Sequence, residues 1–345
     1  MDDKRNTSQA RAFPNEPVAI AIDLGGTQFR VAALTSVGQI LVREACATPA
    51  TAEPDELIHD LADVVQVVRS QAGKHRVVGL GVAAPGPLDP VAGVVFRAPN
   101  LPRWSNVPLA ARLAERTGLS VHLGNDANLA GLAEARLGAG KGEANLVYLT
   151  VSTGVGSGIV VDGRLLLGAR GAAAEAGHMA VSMGGPLCSC GNRGCLEAYA
   201  SGSGMVRRAR DAIAAGRPSQ LQEHVDDLHA TIIAQAAEEG DELAQELIHD
   251  AGRALGFGVR NLLHLFNPSV VAIGGGVSRI GRRLWDPMFE VVNADTLTMY
   301  REGLRIVPAE LGDDSGLVGA ALLAHEAAAA PRTGSPSSIP NQRGR

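Results

Sequence analysis

The sequence predicts an α/β protein of two domains that share a cleft, built around a duplicated β-sheet core. Three observations carry the prediction. Residues 17–35 read as an apolar run, a Gly-Gly-Thr turn and a second apolar run, and residues 145–161 repeat that arrangement around Ser-Thr-Gly-Val-Gly-Ser-Gly. Strand-like runs then alternate with helical stripes along the chain. A chain of 345 residues exceeds one typical domain and has ample length to bury two cores.

Composition narrows the class. Hydrophobic residues at 46% and charged residues at 19% are ordinary for a globular fold, while aromatics at 3% leave the cores to Val, Leu, Ile and Ala. A net charge of −5 lays down no basic footprint, so no nucleic-acid partner is expected. No apolar run reaches the length of a membrane span, so no membrane partner is expected either. Residues 1–16 are polar and lack the apolar stretch of a signal peptide, and residues 330–345 are rich in Pro, Ser and Arg; both segments are expected to be disordered. A reduced, cytoplasmic protein is the simplest expectation for its thiols.

In the first unit, Pro17–Asp23 leads into the turn and Phe29–Thr35 leaves it. Asp23, Gly25, Gly26 and Thr27 place bare backbone and one hydroxyl in a tight loop that can approach phosphate oxygens; alone, the same residues make a plain hairpin turn. Leu57, Leu61, Val64, Val65 and Val68 mark a helix over 53–71. A strand over Arg76–Val82 follows. Gly79, Gly81 and Ala84 match a loose dinucleotide fingerprint, but Pro85 and Pro87 forbid the helix that must open there. Residues 98–108 read as a polar loop with one Trp, ahead of a helix at Leu109–Thr117. The strand Val121–Gly124 delivers Asn125 and Asp126 to the start of an Ala-rich helix, Ala127–Leu137. An Asx residue there is an ordinary helix cap, and a carboxylate at the C-terminal end of a strand is also where a catalytic base belongs.

The second half turns helical: Gly202–Ala215, 226–239, and Asp241–Phe266, whose Leu243, Leu247, Ala251, Leu255, Val259 and Leu263 form one stripe, either core or interface. Ser269–Ile273 is a buried-type strand. Gly275 and Gly276 after it can lie against a base or ribose, or simply connect strand to helix. Leu304–Val307 is a last strand, followed by Gly312-Asp-Asp-Ser-Gly316 and a closing helix over 316–329.

The densest chemistry lies between these, in residues 175–199. Cys188, Cys190, Cys195 and His178 form a Cys3His set, a closed four-ligand site of the kind that holds structural zinc and leaves no position for water or substrate. Packing as small hydrophobes is the alternative for such thiols, but the polar, Gly-rich surroundings offer little apolar surface. A zinc-bound imidazole has its second ring nitrogen fixed as an N–H donor, so His178 can hold the metal on one side and a ligand hydroxyl on the other. Glu175 and Glu197 flank the set.

The pattern Glu175-x-Gly177-His178, then Cys188-x-Cys190-Gly191-x-x-Gly194-Cys195-x-Glu197, resembles the zinc motif of the ROK family of sugar kinases and related repressors. Asp23-Leu-Gly-Gly-Thr27 adds to it, and the likeness spans roughly residues 17–328. The resemblance implies a two-domain actin/hexokinase-like, or ribonuclease H-like, fold with the active site in the interdomain cleft. Its N-terminal domain covers 17–140 and takes back the closing helix, and its C-terminal domain covers 141–315. It implies ATP-dependent phosphorylation of glucose to glucose 6-phosphate with Asp126 as general base. Asn125, Asn100, the backbone at Gly86, Glu175, His178 and Glu197 would hold the sugar. Asp23, Gly25, Gly26 and Thr27, with Thr153 and Gly154, would serve the phosphates, Gly275 and Gly276 the adenosine, and Mg2+ would accompany ATP. A homodimer or homotetramer is expected on the same ground.

Glucose is preferred because Ala98-Pro-Asn-Leu-Pro-x-Trp104 is similar to the glucose-specific form of this segment. Mannose, fructose or N-acetylmannosamine as acceptor, and polyphosphate as donor, are the alternatives. A sugar-responsive transcriptional regulator is less expected, since family repressors carry an added N-terminal helix-turn-helix module and 16 residues precede the first strand here. A nicotinamide dehydrogenase is disfavoured because Gly154, Gly156 and Gly158 sit between strands, with no helix opening there.

Overall fold

Asp23 lies near the end of one strand and Gly25 to Thr27 turn the chain into the next, and the rest of the first half is laid down from that hairpin. The computed structural model describes residues 16–49, 51–98 and 100–330. Apart from Glu16 and Ala330, the terminal segments expected to be disordered lie outside the described residues. Strands β1 (Val18–Leu24), β2 (Gln28–Thr35) and β3 (Ile40–Ala47) form an antiparallel meander. Helix α1 (Pro54–Gln71) crosses over to β4 (Val77–Ala84), which pairs parallel with β1. A small separate sheet of β5 (Leu88–Asp89), β6 (Val94–Ala98) and β7 (Leu101–Val107) precedes α2 (Leu109–Thr117). Strand β8 (Val121–Asn125) then joins β4 in parallel and runs directly into α3 (Asp126–Leu137).

The second half repeats the plan. Strands β9 (Leu146–Val151), β10 (Val155–Val161) and β11 (Arg164–Leu165) are antiparallel. After α4 (Leu196–Ala200), α5 (Gly202–Ala214), α6 (Ala230–Glu238) and α7 (Glu242–Phe266), β12 (Val270–Gly274) pairs parallel with β9. Helix α8 (Arg282–Asp295) leads to β13 (Arg305–Pro308), parallel to β12, and α9 (Ser315–Ala329) closes the described chain. The two five-stranded sheets have the orders β3-β2-β1-β4-β8 and β11-β10-β9-β12-β13, the same topology twice.

Five layers result. Helices α1 and α2 cover one face of the first sheet, through Leu57, Leu61, Leu109 and Leu113 against Ile20, Ile22 and Leu80. Its other face, lined by Ala19, Ala21 and Ala32, packs on α3 and α9. Small residues there let the helices approach closely. The second sheet puts Leu146, Tyr148 and Ala272 on α3's Ala130 and Ala135, and its opposite face carries the largest core, formed with α4 to α8. Helix α3 thus sits between both sheets and projects its N-terminus, with Asp126, where their strands end.

Several expectations are corrected. The polar loop of residues 98–108 contains strand β7, hairpin-paired to β6, and Trp104 is buried in the first core. Its inward positions are Leu101, Trp104 and Val107, a spacing of three that hides the two-residue alternation of a strand; a register shift at Arg97 and Ala98 accompanies it. Strand β3 was not anticipated, because its alternation is only half-buried. The helix expected over 226–239 begins at Ala230, after a 3-10 turn at Gln220–His224. The Leu243 to Leu263 stripe on α7 is core: all six of its residues are buried.

Candidate active site

At the β8–α3 junction the two Asx residues divide the work. The Asn125 side chain caps α3 by accepting from the Asn128 N–H at 3.1 Å. Asp126 is left free of that duty. Its Oδ1 accepts from the adjacent Ala127 N–H at 2.8 Å. Water reaches this carboxylate through the cleft, but protein surrounds it on the other sides. That burial pushes its carboxyl up to about 6, with the Asp23 and Glu175 carboxylates adding to the rise and the Ala127 N–H opposing it. A carboxylate poised near neutral pH in a crevice is suited to accept a proton from an alcohol.

Asp23 and Asp126 line one cavity of about 530 Å³ between the sheets. Gly275, Gly276, Tyr148, Arg279 and Trp285 line it too. Arg30 ion-pairs with Asp23 there and lies 3.6 Å from Asp314, which also pairs with Arg43 at 2.6 Å. Arg30 was not singled out from the sequence, although the signal existed: counting outward from the Gly-Gly-Thr turn, antiparallel register sets Arg30 directly opposite Asp23. The returning turn before α9 was located but given no role. Its Asp313 and Asp314 face Arg279 and Arg30 respectively.

The second Gly turn borders a larger cavity of about 1010 Å³, lined by Thr153, Gly276, Val206, Leu228, Arg207 and Ile280 among others. Apolar walls with guanidinium groups suit a flat, partly charged ligand. This wall, from α5 and the segment before α6, had no sequence signal of its own because the cavity's residues are brought together from separate stretches of the chain. Glu197, on α4, reaches the same turn: its Oε2 accepts from the Val155 N–H at 3.1 Å. A Cβ on Gly154 would come within 2.8 Å of that oxygen, so glycine is what lets the carboxylate approach.

The Cys3His set is assembled. The ligand atoms of His178, Cys188, Cys190 and Cys195 all lie within 4.8 Å of one another and could hold a metal ion. His178 Nδ1 lies 3.7 Å from Cys188 Sγ, which leaves Nε2 outside the thiol cluster. Cys188 and Cys195 are buried and Cys190 is exposed. Burial pushes the Cys195 thiol up to about 12, whereas the Asn192 backbone N–H holds Cys190 down at about 7. Three sulfurs and an imidazole at this separation are the donor set of a tetrahedral soft-metal site.

The remaining residues form contacts around these centres. Asn100 packs on Gly26, where an added Cβ would meet its amide nitrogen at 2.6 Å, and Gly86 lies beside the Asn125 amide. Glu175 precedes a 3-10 turn, Ala176–His178, pinned by Ser157 Oγ, which accepts from the Ala176 N–H at 3.2 Å and donates to the Ala174 carbonyl. Gly25 closes the first turn through its N–H on the Gln28 carbonyl at 3.0 Å, and the Thr27 carbonyl accepts from Thr48 N–H at 2.9 Å. Of the expected site residues, Asp23, Asp126, Thr153, Gly275 and Gly276 line these two cavities, whereas Gly25, Gly26, Thr27, Gly86, Asn100, Asn125, Gly154, Glu175, His178 and Glu197 line neither.

A family model described as "ROK family" matches residues 19–327. The chain belongs to the ROK family. This ROK protein is 38% identical over 310 residues to a glucokinase of Thermotoga maritima, covering 89% of this chain and 97% of that one. The structure matches a ROK hexokinase from Thermus thermophilus with a TM-score of 0.78 at 36% identity, over 90% of this chain and 98% of the other. It also matches a ROK family glucokinase from Streptomyces griseus, solved in complex with glucose and AMPPNP, with a TM-score of 0.71 at 34% identity over 90% and 99% of the two chains. The fold is the actin/hexokinase-like α/β fold of the ROK hexokinases. Among the described residues, no helix is long and apolar enough to cross a membrane.

Proposed function

We propose that this ROK protein phosphorylates glucose with ATP, giving glucose 6-phosphate and ADP, with Asp126 as the general base. One observation carries the reading: Asp126 is relieved of helix capping by Asn125, lines the inter-sheet cavity with Asp23, and has a carboxyl raised to about 6. Its carboxylate takes the proton of the 6-hydroxyl as that oxygen bonds to the γ-phosphorus and the bridging bond to ADP breaks. Phosphoryl transfer asks the protein for alignment and charge neutralisation rather than covalent help. Mg2+ bound with ATP would neutralise phosphate charge. The backbone of Gly25 and Gly26 with Thr27 on one side, and Thr153 with Gly154 on the other, grips the phosphates; Gly275 and Gly276 border the adenosine.

On the sugar side, Gly86, Asn100, Asn125, Glu175, His178 and Glu197 select which hydroxyl faces the donor, because a site built to hydrogen-bond a hydroxyl rejects analogues that lack it. His178, Cys188, Cys190 and Cys195 would hold zinc, which keeps an otherwise mobile Gly-rich loop in shape. The reading divides the chain at residues 140 and 141, with 316–329 returned to the first domain, and sets the protein in the cytoplasm as a homodimer or homotetramer. The test is sugar-phosphate formation with Mg-ATP or with polyphosphate as donor against glucose, mannose, fructose and N-acetylmannosamine. Preference for glucose is expected; preference for another hexose replaces the acceptor, and turnover with polyphosphate alone replaces the donor. No turnover with any pair, from folded protein, overturns the kinase reading.

A further inference from the structure

The turn between β9 and β10 has little anchorage of its own. Within it, the Ser152 N–H reaches the Gly154 carbonyl at 2.9 Å. Its other hydrogen bonds run to the segment that leaves the cysteine loop. The Ser152 carbonyl accepts from the Gly202 N–H at 2.8 Å, and the Thr153 carbonyl accepts from the Ser203 N–H at 3.2 Å and the Ser203 hydroxyl at 2.7 Å. The Val155 N–H donates to Glu197 Oε2 at 3.1 Å. Glu197 therefore holds the turn's donor edge while the start of α5 holds its acceptor edge.

The other carboxylate oxygen of Glu197 faces the opposite way. Oε1 accepts from the Ser189 hydroxyl at 2.9 Å, in the middle of the cysteine loop, and lies 3.7 Å from Cys188 Sγ. Arg207 of α5 closes the circuit by donating to the Leu187 carbonyl at 3.1 Å. Each carboxylate oxygen can accept more than one hydrogen bond, so these links leave Glu197 able to accept a ligand hydroxyl as well.

We infer that Glu197 is a positioning residue that joins the cysteine loop to the β9–β10 turn, so that sugar and nucleoside triphosphate bind cooperatively through Ser189, Glu197 and Val155. The inference rests on the kinase reading above. Its physical content is that ordering the loop with a sugar also fixes the Val155 N–H and the Thr153–Gly154 backbone against phosphate, and linkage makes the effect reciprocal.

The experiment titrates the full-length wild-type protein with Mg-AMPPNP calorimetrically, with and without saturating glucose, and repeats this for Ser189→Ala and Glu197→Gln after checking their melting curves. Glucose is expected to tighten AMPPNP binding in the wild type by about 5- to 150-fold, the usual range of site-to-site coupling. In Glu197→Gln the side-chain oxygen can still accept from the Val155 N–H while the amide N–H donates to the Ser189 hydroxyl, which is also an acceptor, so this conservative variant is expected to keep the ratio within about twofold of that of the wild type. Ser189 is exposed, so Ser189→Ala should fold normally and lower the ratio while changing the Kd of glucose alone by less than about twofold. A ratio near one in the wild type, or an unchanged ratio in Ser189→Ala, overturns the coupling while leaving the kinase reading standing. A wild type that binds neither ligand overturns both.

Discussion

The Asp126 carboxyl is raised to about 6 by burial. Asp126 is the proposed general base, so its conversion to Asn is expected to cost about 10²- to 10⁴-fold in kcat, with little change in glucose Kd, measured by steady-state kinetics and calorimetry. The protonated acid cannot accept a proton, so kcat/KM should fall as pH drops through about 6, following one ionisation. The same shift has a thermodynamic sign. Its folded-state pKa lies above the ordinary 3.8, so the folded form binds the extra proton between those values, and the associated stability is present below pH 3.8 and lost as pH rises through 6. Asp126→Asn should therefore melt at a higher temperature than the wild type at pH 7.5, and this advantage should vanish near pH 4. Of the residues around it, Asn125 and Asp126 were readable as a pair at a strand end. Which one caps and which stays free was not, because both types accept from N–H groups equally well and only the backbone trajectory assigns the cap.

Among elements, α7 and the cysteine loop stand at opposite ends. Helix α7 has a stripe with the helical period, a capping Asp241 whose side chain accepts from the Ala244 N–H at 2.8 Å, and Asn267 in the left-handed conformation at its end. Leu255 is 1% exposed, and Leu255→Ala should destabilise the protein by about 2–5 kcal/mol in urea melts, the range for an apolar core truncation. The cysteine loop has no comparable core: Cys188, Cys195 and Ala198 make up a three-residue cluster. Its shape is therefore expected to depend on the metal. Chelation, or Cys190→Ala, should remove bound zinc measured by elemental analysis, lower the melting temperature and raise the KM for glucose together. Normal kinetics in a zinc-free sample would overturn that account. The hairpin of β6 and β7 was the element hidden from periodicity, since its inward residues recur every third position and mimic a loop with scattered apolar groups.

At the scale of the molecule, the two sheets meet through α3 and α9, with Gly131 of α3 against Gly158 of β10 leaving no room for a side chain. The buried Glu134 of α3 accepts from the N–H groups of Ala139, Glu310 and Leu311 at 2.9, 3.1 and 2.8 Å, and so fixes where the chain crosses from β13 to α9. Glu134→Ala leaves these donors without their partner. It should destabilise the whole protein by about 1–3 kcal/mol per buried group left unpaired, read from the urea midpoint. The sequence alone determined the duplicated strand–turn–strand plan, the helices with a clean 3.6-residue period and the Cys3His set, because each is written in spacing along the chain. Tertiary structure alone decided that Arg30 lies near Asp314, that Glu197 spans from the cysteine loop to Val155, and that α5 and the segment before α6 build a cavity wall. Those contacts join residues whose separation in sequence carries no period. They are set by how the helices and sheets stack, and burial then adjusts the charge of groups such as Asp126 in a way no local pattern records.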